Sequence, residues 1–137
     1  MLRTLLLTVL VAFAVSVGPA TAAVAPTPSA LRVLLSAQNH RPRASKSPEV
    51  HWSYCVKVRT VSGKSIASTI RIQIAWRRAI RKIAVISLRK GYDHWCAAIG
   101  GEASVFNVVP RGRRLLFQAV VNAQGVTVTR SWPIVVR

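Results

Sequence analysis

Acidic side chains are scarce in this chain: Glu49, Asp93 and Glu102 stand against 20 lysines and arginines, a formal charge of +17. Three carboxylates so widely separated in sequence supply no evident pair for glycoside hydrolysis, which needs two acids flanking one bond. No nucleophile is marked either. Ser62 lacks the G-x-S-x-G surroundings of a hydrolase serine, and Gly63-Lys64-Ser65 lacks the upstream glycine of a phosphate loop. Adjacent Asp93 and His94 would point to opposite faces of a strand, which weakens a Ser-His-Asp relay. The expectation is a non-enzymatic chain without a cofactor.

Cysteine is also sparse, with only Cys55 and Cys96 present. In an exported chain such an even pair is most simply a disulfide. Two histidines keep a zinc reading in view, because His51 shares a strand face with Cys55 and His94 shares one with Cys96. The spacings H-x3-C and H-x-C match no trusted zinc pattern. The disulfide is therefore the expectation, and no metal site is assigned.

Long apolar runs are missing except at the start. Leu5 to Val17 is about 13 residues, against the roughly 20 that span a bilayer as a helix. Arg3 precedes it, Gly18-Pro19 breaks it, and Ala20-Thr21-Ala22 offers the small residues that signal peptidase reads. Residues 1–23 are expected to be a cleaved export signal, processed after Ala22 or Ala23. Residues 24–30 form a Pro/Ala/Ser tether, and 31–137 form one domain. The mature chain is expected to be secreted or extracytoplasmic and to have no transmembrane segment.

From Leu31 onward the pattern is that of strands. Val50, Trp52, Tyr54, Val56 and Val58 alternate with His51, Ser53, Cys55, Lys57 and Arg59, the period of a half-buried strand. Ile70, Ile72, Ile74 and Trp76 repeat the pattern. Further runs cover Leu31–Ala37, Ile83–Leu88, His94–Ile99, Leu115–Val121 and Val126–Val136, with turn signals at Ser62-Gly63-Lys64, Lys90-Gly91 and Asn122 to Gly125. The unbroken apolar run from Ile83 predicts either a strand covered on both faces or a bulge. Seven short strands without a convincing helix predict an all-β, antiparallel sandwich.

Residues 72–88 carry a competing pattern. Ile72, Ala75, Trp76, Ala79, Ile80, Ile83 and Ile86 also fall at helical spacing, opposite Arg77, Arg78, Arg81 and Lys82. A cationic amphipathic helix there would make the chain a membrane-active effector. The many β-branched residues favour a hairpin instead, turning near Arg77 to Ala79.

The strand HWSYCVKVRT with its SGK turn, and the final hairpin RLLFQAVVNAQGVTVTRSWPIVV, resemble small exported bacterial immunoglobulin-like domains, the uncharacterised kind common in high-GC actinobacteria. The likeness runs from about Leu31 to Arg137. It implies an immunoglobulin-like sandwich acting as a binding or spacer module, and it carries over no active site. One departure concerns the cysteines. Antibody-type domains bury both in the core, whereas Cys55 shares a face with Lys57 and Arg59, so the bridge is expected across an outer face or edge.

Function then rests on the basic clusters. They are Arg41/Arg43/Lys46, Arg77/Arg78/Arg81/Lys82, Arg89/Lys90 and Arg111/Arg113/Arg114, all in or beside predicted turns. The planar arginine fork suits phosphate and carboxylate. The expected polyanion-binding residues are Arg77, Arg78, Arg81, Lys82, Arg111, Arg113 and Arg114. The partners would be an anionic cell-surface polymer, an acidic glycan or lipid head groups. Export disfavours nucleic acid, and a purely structural spacer with a solvated basic surface is the bland alternative. Trp52, Tyr54, Trp76, Phe117, Trp132 and Trp95 are read as core, with Tyr92 and Trp95 as the aromatics placed to stack on a ligand.

Overall fold

A computed structural model of the protein describes residues 30–137. The expected leader, its processing site at Ala22 and Ala23, and the tether up to residue 29 lie outside the described residues.

Seven strands form: β1 (Leu31–Ala37), β2 (His51–Thr60), β3 (Ser68–Trp76), β4 (Ala79–Leu88), β5 (His94–Gly100), β6 (Arg114–Ala123) and β7 (Val126–Val135). A 3-10 turn, Val105–Asn107, interrupts the β5–β6 connection. Every pairing between these strands is antiparallel, in two sheets ordered β1-β2-β5 and β4-β3-β6-β7. The order is that of an immunoglobulin-like sandwich whose fourth strand has joined the sheet of β3, β6 and β7. No helix among the described residues is long and apolar enough to cross a membrane.

Alternation decides which face each strand buries. Trp52, Tyr54, Val56 and Val58 point inward from β2, and they meet Ile70, Ile72 and Ile74 of β3 and Phe117 and Val121 of β6. Trp52 packs edge-on against Phe106 and Phe117, with ring centroids 5.4 and 4.8 Å away. Removing a side chain the size of Phe117 from water stabilises the fold by about 2 kcal/mol. Burial also raises the pKa of the Tyr54 phenol, partly offset by a hydrogen bond with Trp95.

Residues 72–88 are a hairpin and not a helix. Trp76 pairs with Ala79 across the two-residue turn Arg77-Arg78. The turn lies where the hairpin reading sets it, near Arg77 to Ala79, but the apolar run marks the second strand only from Ile83 and β4 begins four residues earlier. The reason is a bulge: Ile72 pairs with Ala84 while Gln73 pairs with Lys82, leaving Ile83 without a partner. That extra residue shifts the inward phase and hides the alternation around Arg81 and Lys82. Of the two alternatives for the run from Ile83, the bulge is the one found, and cover on both faces is not, since Ile80 and Val85 lie largely exposed on this outer strand. Its bulge and its charged residues blunt a free edge that would otherwise invite strand pairing.

Two further placements differ from the sequence pattern. Gln73 points outward but is buried, because its amide is held in a ladder across the sheet. Arg71 Nε donates to Gln73 Oε1 (2.9 Å), Gln73 Nε2 to Gln118 Oε1 (2.9 Å), and Gln118 Nε2 to the Ser131 hydroxyl (3.1 Å). Trp95, read as core, is 39% exposed because β5 is itself an outer strand with no neighbour beyond it.

The β1–β2 connection crosses to the other sheet and lies along β7. Val135 N donates to His40 O (2.9 Å), Arg137 N to Pro42 O (3.0 Å), and Ala44 N to Arg137 O (2.9 Å), a parallel ladder in all but length. Side chains fix this contact. The indole nitrogens of Trp52 and Trp132 both donate to Asn39 O at 3.1 Å, and the His40 ring stacks on Trp132 at 4.5 Å.

Candidate functional site

Antiparallel pairing sorts the connections between two ends of the sandwich. The β1–β2 connection, the β3–β4 turn, the β5–β6 connection and Arg137 share one end. The β2–β3, β4–β5 and β6–β7 connections share the other. Three of the four basic clusters therefore converge. Arg41, Arg43 and Lys46 lie in the β1–β2 connection, Arg77 and Arg78 form the β3–β4 turn, and Arg111 and Arg113 precede Arg114 at the start of β6. Arg81 and Lys82 follow on the near half of β4, on inner and outer phases respectively. Arg89 and Lys90 fall at the opposite end and are not brought to this group.

The basic end is internally tied. The Asn107 amide donates to the carbonyls of Ser45 (3.3 Å) and Gly101 (3.2 Å), joining the β1–β2 connection to the β5–β6 connection. Arg137 belongs to this end through its backbone bonds to Pro42 and Ala44. The sequence offered no sign of it, because the contact is made by main-chain groups.

Among the described residues, none of the basic side chains at this end is paired with a carboxylate. The ion pair present joins Asp93 to Arg59 at the far end, where the His94 ring also lies within hydrogen-bond distance of the Asp93 carboxylate. Hydrogen bonds from His94 (2.9 Å) and Arg59 (2.6 Å), in that order of effect, hold the Asp93 carboxyl down to about 2. The sequence reading set Asp93 and His94 on opposite faces. They meet because Asp93 precedes β5 and is free of its alternation.

Two hollows lie near the basic end. One of about 340 Å³ is lined by Ala75, Trp76, Arg77, Arg114 and Leu116. The other, about 400 Å³, runs between the outer strands β4 and β5 and is bordered by Arg81, Lys82, Ile83 and residues of the 98–108 segment, Glu102 among them. The first carries no acid. Trp76, read as core, is only half-buried and contributes to it.

Cys55 and Cys96 are joined by a disulfide on the outer face of the smaller sheet. With both sulfurs bonded to each other, no pair of thiolates remains to serve a metal. His51 and His94 stand at opposite ends of the β2–β5 ladder.

Compared with family models and with curated proteins, the chain matches none of them. The class defined by fold and site is a single two-sheet β-sandwich with a strongly basic end.

Proposed function

We propose that this chain is an exported, non-enzymatic immunoglobulin-like module that docks by its basic end on an anionic partner: a cell-surface polymer, an acidic glycan or lipid head groups. The observation that carries the reading is the convergence of three arginine-rich clusters, without carboxylate partners, on one end of an otherwise regular sandwich. Unpaired cations gathered on one surface attract polyanions at a distance and bind them through charge-assisted hydrogen bonds. The disulfide supports an oxidising compartment, in keeping with the leader read in residues 1–23 and with the resemblance to exported bacterial domains.

The test is binding to sulfated dextran, followed through a salt series. Affinity is expected to fall steeply as ionic strength rises and the charges are screened over a shorter range. Replacing Arg111, Arg113 and Arg78 by serine should weaken it far more than replacing Lys64, Arg89 and Lys90 at the other end. Salt-independent binding, or none, overturns the reading and leaves a spacer domain.

A further inference from the structure

Two separate energetic costs fall on the same spot of the basic end. Arg77 sits at φ 52°, in the left-handed region where a residue with a Cβ is strained and glycine or asparagine is preferred. The β6–β7 turn meets the same demand with Gln124 at φ 50°, and follows it with Gly125 at φ 76°. At the β3–β4 turn no glycine is used, and two arginines fill it. The second cost is electrostatic. Arg77 in the β3–β4 turn and Arg114 at the start of β6 both line the 340 Å³ hollow. Like charges gathered around one hollow repel each other. Strain and repulsion concentrated at one place are the mark of a site shaped for something other than stability.

The chemistry of the hollow narrows what it takes. Ala75, Leu116 and half-buried Trp76 line it with apolar surface, and Arg77 and Arg114 add two positive charges. A bare inorganic anion would satisfy the arginines and leave the apolar lining uncovered. A sugar ring covers such a lining with its C–H face while an attached carboxylate or phosphate reaches the arginines. From this geometry we infer that the hollow is a subsite for one anionic saccharide unit, a uronic acid or a sugar phosphate. The inference rests on the docking role proposed above and names the unit that this end recognises.

The experiment compares the full chain with two variants that lose equal charge: Arg77→Gly/Arg114→Ser at the hollow, and Arg89→Ser/Lys90→Ser at the opposite end. Probes are trigalacturonate, a sugar-phosphate oligomer, a neutral trisaccharide and inorganic phosphate, with sulfated dextran as the general polyanion. The hollow variant should melt higher than the parent, since it relieves both costs, and should lose about tenfold or more in affinity for an acidic saccharide. The far-end variant should lose about twofold or less. Tighter binding of trigalacturonate than of the phosphate oligomer assigns a carboxylated sugar, and the reverse assigns a phosphorylated one. Equal losses in the two variants, or inorganic phosphate competing as well as the saccharides, overturn the subsite while sulfated dextran binding keeps the broader reading. Failure of the parent to bind sulfated dextran overturns both.

Discussion

Cys55 and Cys96 are direct register partners on neighbouring strands β2 and β5, with Cα atoms 4.1 Å apart and the bridge on the solvent side of the smaller sheet. The bridge therefore ties two strands that already pair and leaves the inter-sheet core untouched, unlike the buried bridge of antibody domains. With a sequence separation of 41 between the cysteines, the chain-entropy model gives about 4 kcal/mol of stabilisation. Reduction, or Cys55→Ala/Cys96→Ala, should lower the urea midpoint by a corresponding amount and keep the folded far-UV spectrum. An unchanged midpoint would show that the cross-link contributes nothing.

Asp93 makes a prediction about acid. Its carboxyl is held near 2 when folded against an ordinary 3.8, so the unfolded chain takes up a proton first as pH falls. Stability from this group is complete above the ordinary value and is lost as pH drops through the folded one. Thermal unfolding followed between pH 5 and pH 2 should show the decline in the parent. Asp93→Asn should start from a lower melting temperature and show a flatter profile over the same window.

Gly100 ends β5 against the start of β2. A Cβ there would collide with the Val50 carbonyl oxygen and crowd the His51 ring. Backbone atoms yield poorly, so Gly100→Ala should destabilise by about 1–3 kcal/mol, the usual cost of overpacking. A melting temperature equal to the parent's would mean that the strands separate freely at this point.

Gln124 has a positive φ of 50° ahead of Gly125, which is the demand of a two-residue hairpin turn for Asn-Gly. Gln124→Asn should raise stability by about 0.5 kcal/mol, given asparagine's ease in the left-handed region. Lying at the far end, it should leave polyanion affinity unaltered, and a drop in affinity would argue against docking through the basic end.

The legible part of this molecule was whatever side-chain period controls. β2 is legible because Trp52, Tyr54, Val56 and Val58 alternate without interruption with His51, Ser53, Cys55, Lys57 and Arg59, and the outer-face position of Cys55 follows from the same period. β4 was truncated because one unpaired residue, Ile83, reverses the phase midway and sets Arg81 on the inner side. The β1–β2 crossover escaped notice because its bonds to β7 are made by peptide groups, which leave no compositional trace. The clusters themselves were visible in sequence, and their gathering at one end, with Arg89 and Lys90 excluded, depended on strand direction. The hollow was invisible: Ala75, Trp76 and Leu116 read as ordinary strand residues, and only the pairing of β3 with β6 sets them beneath two arginines.

The seam between residues 40–44 and β7 bears on how the domain carries tension. β1 begins at one pole and Arg137 lies at the other, so a pull applied between Ala30 and Arg137 runs along the strands. β7 is gripped on one flank by β6 and on the other by the crossover, and a tug on its end loads both rows of bonds together instead of peeling them singly. Stretched between residues 30 and 137, the domain would resist extension through that doubly clamped strand.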